Sequence, residues 1–133
     1  MIYPKKKEDK PMKILIVEPM RHPRRANIPH TLEEMQRIVG GYIEAVYPYD
    51  DPIAVVCAGE GKLNGYALNR SILDKDVIAG TFFVCGCGEE DFTDLSDELA
   101  DKYEKLFYEP EVFAMTPMGV LVIRANGERV IIQ

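Results

Sequence analysis

The sequence predicts a single α+β domain in which a mostly antiparallel sheet is accompanied by two amphipathic helices. The chain has 133 residues, the length of one domain, and 47% of them are apolar, which is enough for one buried core. Short apolar runs joined by tight turns outnumber the helical patterns, and this favours an α+β arrangement. There is no repeat and no internal linker, so we expect residues 12–133 to form one globular domain.

The first eleven residues differ from the rest in composition. They are rich in lysine and contain two prolines, so we expect residues 1–11 to be a disordered extension. No apolar block follows these lysines, and no run approaches the ~18–20 apolar residues of a membrane span. The chain has three cysteines without the spacing of a disulfide framework. These features together predict a cytoplasmic protein that has no membrane partner.

Short apolar and β-branched runs predict the strands, and turn residues separate them. Prolines and arginines in residues 20–30 indicate a loop, and the Asn64-Gly65 pair indicates a hairpin turn. Residues 69–76 are polar and read as irregular or as one helical turn. Strands are predicted at 13–18, 42–47, 53–57, 77–87, 112–115, 120–124 and 129–132.

Two stretches have the spacing of amphipathic helices. The first begins at Thr31, which with Glu34 matches a capping box, and ends at Gly40-Gly41, a pair typical of a left-handed C-cap. The second covers roughly residues 94–108 and is stopped by Pro110. We expect its apolar side to face the core, and this side consists of Leu95, Leu99, Tyr103, Leu106 and Phe107.

Charge is distributed unevenly along the chain. Residues 1–30 carry a net charge of +5, and the remaining 103 residues carry −11. An acidic body repels nucleic acid, so we do not expect duplex DNA or RNA to be a direct partner. The polar side of the second helix is a candidate protein-interaction surface, because a row of carboxylates can imitate a phosphate backbone. The same composition is typical of any solvated helix face. The carboxylates are Asp94, Asp97, Glu98, Asp101 and Glu104.

A polar group in the middle of the chain is a candidate site for a small anionic ligand. It contains Asn64, Asn69 and Arg70, because polar residues next to a sheet end can converge on a ligand. The asparagines also suit turns, where they adopt left-handed backbone conformations or bond to the backbone. Both interpretations stay open.

A second candidate is the basic loop that contains Arg21, Arg24 and Arg25. Three guanidinium groups within five residues could hold a phosphate or a carboxylate. A solvated loop, or one that pairs with the acidic body, is the alternative and is favoured.

The sequence predicts no cofactor and no metal site. Gly59 to Lys62 lacks the spacing and the following helix of a phosphate-binding loop. Cys57, Cys85 and Cys87 could begin a zinc site, but a fourth ligand is missing and buried cysteines are common. There is no nucleophile with a base in a recognisable context, so no catalytic residue is proposed and the balance leans against an enzyme.

Four stretches together cover most of residues 12–107, namely MKILIVEP (12–19), TLEEMQRIVGGYIEAVYPYDDPIAVVCAGEGKLNG (31–65), ALNR (67–70) and DVIAGTFFVCGCGEEDFTDLSDE (76–98). Through them the chain resembles a family of small uncharacterised proteins, each containing a domain of unknown function, that phages, plasmids and conjugative elements of anaerobic bacteria encode. The resemblance implies an origin in a mobile genetic element and a shared core that begins at Met12. It implies no catalytic residue and no ligand.

We therefore expect a non-enzymatic accessory protein of a mobile genetic element. It would inhibit or adapt a host or defence protein, or it would bind a small anionic ligand. One alternative is a small enzyme that acts on a nucleotide-like substrate. Another is a structural module whose edge strands pair into a homo-oligomer.

Overall fold

The computed structural model describes residues 10–133, and residues 1–9, which make up most of the predicted extension, lie outside the described residues. The chain from Pro11 onward is organised as β1 (Pro11–Val17), β2 (Arg24–Pro29), α1 (Leu32–Val39), β3 (Ile43–Val46), β4 (Ile53–Ala58), β5 (Leu68–Ile72), β6 (Asp76–Ala79), β7 (Phe82–Cys87), β8 (Phe92–Thr93), α2 (Asp97–Leu106), β9 (Val112–Thr116), β10 (Gly119–Ile123) and β11 (Arg129–Ile132).

Three antiparallel sheets make up the strand content of the described residues. The central sheet has the order β2-β1-β7-β4-β3, with β8 added beside β7. The β5–β6 hairpin forms a second sheet, and β9, β10 and β11 form a three-stranded meander. This arrangement of mostly antiparallel strands and two helices confirms the predicted α+β class.

The central sheet is covered on both faces, which explains its continuous apolar runs. All six residues of β4 are buried, and neighbours along it point to opposite faces: Val55 packs with α2, and Val56 packs with α1. The β5–β6 hairpin adds Ile72 and Ile78 to the α2 side. A third apolar cluster, built around Val122, joins this hairpin to the meander.

Both helices form where the sequence predicts them. The Thr31 side chain accepts a hydrogen bond from the Glu34 amide at 3.1 Å, and Gly40 closes α1 with a φ of 81°. The second helix is shorter than predicted, and Leu106 is 55% exposed instead of facing the core. Neither helix has the length and apolar character needed to cross a membrane.

The prediction of a loop across residues 20–30 is wrong, because β2 occupies most of it. Among the described residues β2 is an edge strand that pairs only with β1, in a register that sets Leu15 opposite Arg25 and Pro11 opposite Pro29. An edge strand keeps one side in solvent, so it tolerates arginines and proline that a central strand excludes.

The prediction of a hairpin at Asn64-Gly65 is also wrong, and the hairpin in this part of the chain is formed by β5 and β6. Asn64-Gly65 belongs to a turn-rich loop without strand arms, and residues 69–76, predicted to be irregular, form β5 and its turn into β6. That turn places Leu73 and Asp74 at φ of 53° and 55°. Asn and Gly are the residues that usually adopt this left-handed conformation, so the sequence did not indicate a turn here. The predicted strand 77–87 is divided into β6 and β7 at Gly80, whose φ is 84°.

The loop of residues 59–66 is fixed by the ring of Tyr66, which packs against glycines. Its hydroxyl donates to the Gly40 carbonyl at the end of α1. A Cβ on Gly80 would lie 2.8 Å from the ring, and one on Gly61 would lie 3.3 Å from it. These glycines are therefore required by the packing of Tyr66 as well as by the turns.

We expect Gly80→Ala to destabilise the fold more than Gly65→Ala does. Both positions have a positive φ, 84° and 74°, but a Cβ at Gly65 meets no atom within 4 Å. Gly65→Ala should cost about 1 kcal/mol of backbone strain, and Gly80→Ala roughly 2 kcal/mol more because it also displaces Tyr66. Urea unfolding measures both values. Equal losses would contradict the packing described for Tyr66.

Candidate functional site

Asn69 and Arg70 form a buried polar pair that ties four parts of the chain to β5. The Asn69 amide donates to the carbonyls of Val17 and Gly80, both at 2.9 Å. Arg70 donates through Nε to Phe107 at 3.0 Å and through Nη2 to Arg21 at 2.6 Å, in each case to the backbone carbonyl. The pair therefore joins β1, the bend after β6, the end of α2 and the β1–β2 turn.

The guanidinium of Arg70 is almost fully removed from water. It is 1% exposed, and its hydrogen-bond acceptors within the described residues are carbonyl oxygens, including that of the Asn69 side chain at 2.9 Å. Burial lowers the pKa of Arg70, against the opposing effect of Glu111 and Glu109. These contacts give Asn69 and Arg70 an architectural role, and they leave little of either side chain for direct contact with a ligand.

A large cavity lies where the meander meets β5 and the end of α2. This junction cleft has a volume of about 620 Å³, and Arg70 lies in its wall. Glu111 is nearly buried there and accepts from the Ser71 amide at 2.6 Å and from its hydroxyl at 2.9 Å. Arg124 donates to Glu111 at 2.9 Å across the cleft.

Arg124 stabilises the junction through ion pairs. It also pairs with Asp74 in the β5–β6 turn and with Glu128 in the β10–β11 turn. The hydrogen bonds that Arg124 donates to Glu128, Asp74 and Glu111 raise the pKa of this guanidinium. No sequence motif identifies Arg124 and Glu111, because they lie 13 positions apart and only the fold brings them to Ser71.

The three arginines of the predicted basic loop do not converge on one ligand. Arg24 and Arg25 are neighbours on β2 and point to opposite faces of the sheet. Arg24 pairs with Glu18 at 3.3 Å, and Arg25 pairs with acidic residues of α2. Arg21 contributes its carbonyl to Arg70, while its side chain is exposed.

The acidic side of α2 is partly neutralised within the chain. Arg25 donates to Asp101 and to Glu104, the latter at 2.8 Å, and Asp94 accepts from the backbone amide of Lys13 at 2.9 Å. Two of the five predicted carboxylates, Asp97 and Glu98, form neither an ion pair nor a side-chain hydrogen bond within residues 10–133. They lie in the first turn of α2, where negative charge favours the helix.

The structure separates Asn64 from the pair formed by Asn69 and Arg70. Its side chain helps to line a separate pocket beside Gly40 and Tyr42, at the end of α1. The backbone amide of Asn64 donates to the Glu60 carbonyl at 2.9 Å and so stabilises the loop. The predicted group is therefore divided, because Asn64 and Arg70 line two different cavities and Asn69 is buried.

The three cysteines are free, and they do not meet. Cys57 belongs to the apolar cluster on the α2 side of the sheet, whereas Cys85 and Cys87 lie on the α1 side. Burial raises the pKa of the Cys57 thiol to about 11 and that of Cys85 to about 12. Residues 10–133 contain no group of three or more His, Cys, Asp or Glu side chains placed to hold a metal ion.

The C-terminal meander has apolar side chains on both faces, and its inner face packs on the β5–β6 hairpin. Phe113, Val122 and Val130 point inward and pack on the β5–β6 hairpin. The register sets Ala114, Leu121 and Ile131 side by side on the opposite face, next to Val112 and Ile123. Ile131 is 46% exposed and Val112 is 50% exposed. We call these five residues the outer apolar face.

The sequence predicts the three strands of the meander but not its outer apolar face. An antiparallel sheet with one solvated face alternates apolar and polar residues. The run Val120–Ile123 and the run Val130–Ile132 are apolar at every position, and that break in alternation was the available signal.

We expect Arg70→Met to lower the free energy of unfolding by about 3 kcal/mol or more, because buried carbonyls lose charged donors. Arg129→Met is the matched control: Arg129 is exposed and forms no ion pair with any other described residue. Its effect should stay within about 0.5 kcal/mol. Urea unfolding compares the two. If Arg70→Met proved as mild as the control, the architectural role of Arg70 would be refuted.

We expect stability to fall at alkaline pH in part because of Cys85. The unfolded thiol ionises near pH ~8.5, whereas the native thiol stays protonated up to about 12. The native state therefore binds more protons between these values, and the contribution is complete below the lower one and is lost as pH rises. From pH ~7.5 to ~9.5, the wild type should lose roughly 1.4 kcal/mol more than Cys85→Ala does. Urea midpoints at both pH values test this, and parallel losses would count against it.

Comparison with known proteins adds a family and no function. No curated protein matches the chain. No solved structure matches it either. Residues 12–108, from β1 through α2, match a family described as a domain of unknown function, DUF3846. The meander β9–β11 lies outside the matched range. The match covers well over half of the sequence, and the chain therefore belongs to the DUF3846 family.

Proposed function

We propose that this chain is a non-enzymatic accessory protein that binds another protein with the outer apolar face of its C-terminal sheet. The observation that carries the proposal is the face itself, where five apolar side chains lie side by side, three of them exposed and two half-buried. Contiguous apolar surface in water is unfavourable, and in folded proteins it marks interaction sites.

The size of the face defines what else the partner must contact. Three strands spaced ~4.8 Å apart and five residues rising ~3.4 Å each give a flat area of about 250 Å². A stable interface needs roughly 800 Å² from each partner. The outer apolar face would therefore be the centre of an interface whose rim includes the polar surface around it, as in most protein complexes.

Charge favours a basic partner over a second copy of the chain. Residues 31–133 carry a net charge of −11, so two copies repel each other, whereas a basic protein is attracted. Exposed Asp97 and Glu98 add to this field without forming ion pairs in residues 10–133. The partner we propose has an apolar patch with lysines or arginines around it.

The resemblance to proteins of mobile genetic elements supports a biological setting for this binding. We propose that the protein is encoded by such an element and acts in the cytoplasm, where it inhibits or adapts a host or defence protein. A basic nucleic-acid-binding protein of the host has the chemistry that the acidic body would attract.

Binding of a small anionic ligand is a second candidate function, favoured by the volume of the junction cleft. Arg70 would act there only through its field, because its donors are directed to carbonyls. Lys105 lines the same cleft, is exposed and forms no ion pair within the described chain, so it would make the direct contact.

The proposed function is tested by placing a charge in the outer apolar face. Ile131→Glu should weaken capture of the partner from a host lysate by at least tenfold, because a carboxylate would be buried against apolar surface. Leu63→Glu is the matched control, since Leu63 is 85% exposed in the loop of residues 59–66. It should capture the partner as the wild type does.

The captured protein is then purified and titrated against the wild type, Ile131→Glu and Leu63→Glu. Its affinity for the wild type should fall as the salt concentration rises. Retention of the partner by Ile131→Glu would refute the proposal. Sedimentation is run in parallel. A wild-type dimer that Ile131→Glu dissociates would instead support the homo-oligomeric module.

A further inference from the structure

We propose that the pocket at the end of α1 binds an organic cation, namely the ammonium or guanidinium group of a polyamine or of a lysine or arginine side chain. The pocket has a volume of about 470 Å³ and lies between α1 and the loop of residues 59–66. It is remote in sequence from the outer apolar face, so the inference does not depend on the proposed function.

The pocket has a fixed aromatic wall. The Tyr66 hydroxyl donates to the Gly40 carbonyl, and a Cβ on Gly80 would collide with the Tyr66 ring. The left-handed conformation of Gly40 ends α1, and Tyr42 follows two residues later with its carbonyl bound to the Gly59 amide at 3.0 Å. Both tyrosines line a cavity whose backbone is held by these bonds, so little needs to be ordered when a ligand enters.

Two carboxylates and one guanidinium line this pocket, and the two carboxylates form no ion pair with the described residues. Glu33 and Glu60 line it, and neither forms an ion pair within residues 10–133. Arg37 also lines the pocket, but its guanidinium is bound to Glu34. The C-terminal end of a helix adds partial negative charge from its carbonyls.

Tyr42 supplies the second element of a cation site. Its side chain is 82% exposed, and an aromatic face attracts a cation through the electrons of the ring. The methylene groups of a polyamine, lysine or arginine can lie on the same ring while the charged end reaches Glu60 or Glu33. An anion would meet two carboxylates, and a neutral ligand would leave their field unused.

The experiment is a titration of the isotope-labelled protein, followed by backbone amide NMR shifts, with spermidine and with N-acetyl-arginine amide. Saturable shifts are expected at residues 40–42, 60, 64 and 66. N-acetyl-citrulline amide has nearly the same shape without the charge and should shift none of them. Tyr42→Ala and Glu60→Gln should each weaken binding at least fivefold, and Tyr42→Phe should restore it because the ring remains.

Two controls separate this site from general attraction to an acidic protein. Tyr47→Ala removes another exposed tyrosine, and Glu89→Gln removes an exposed carboxylate in the turn between β7 and β8, so both should bind like the wild type. Shifts of equal size around Glu89 and Glu98, or unchanged affinity of Tyr42→Ala, would overturn the proposal.

The remaining outcomes identify the source of the cation and keep the two proposals apart. Tighter binding of spermidine indicates a free polyamine, and equal or tighter binding of the arginine amide indicates a side chain of a partner. Ile131→Glu should bind both probes as the wild type does, so failure of the outer apolar face leaves this result unaffected. Binding of the citrulline compound with the same affinity would refute recognition of charge.

Discussion

The buried pair of Asn69 and Arg70 is the interaction on which the arrangement of the layers depends. Two adjacent side chains donate to backbone carbonyls of β1, the bend after β6, the end of α2 and the β1–β2 turn. Carbonyls at such chain ends have no partner inside a helix or sheet and are costly to bury unpaired. The pair satisfies them and so fixes the β5–β6 hairpin against the central sheet.

That hairpin in turn carries the C-terminal meander. Apolar residues around Val122 pack on it, and Arg124 binds Asp74 and Glu111 across the junction cleft. The meander lies outside the range matched by the DUF3846 family, so the outer apolar face belongs to a part of the chain that the family match does not cover. The outer apolar face is oriented only because the hairpin beneath it is fixed.

Much of the charge that looks functional in the sequence is used inside the chain. Arg25 is paired with Asp101 and Glu104, so a candidate anion site and a candidate protein surface partly neutralise each other. What remains without an ion pair in the described chain is informative. Asp97 and Glu98 continue the acidic surface of α2, and Glu33 and Glu60 line the pocket at the end of α1.

The sequence by itself determined the class of the fold, the caps of α1 and most strands, because periodicity, capping residues and apolar runs act locally. It did not reveal β2, whose arginines and proline suit an edge that only the sheet order creates. It also grouped Asn64 with Arg70, which the fold separates. Only the tertiary structure decided which charges pair, which cavity each side chain lines and which face of the meander stays uncovered, since these depend on contacts between residues far apart in the chain.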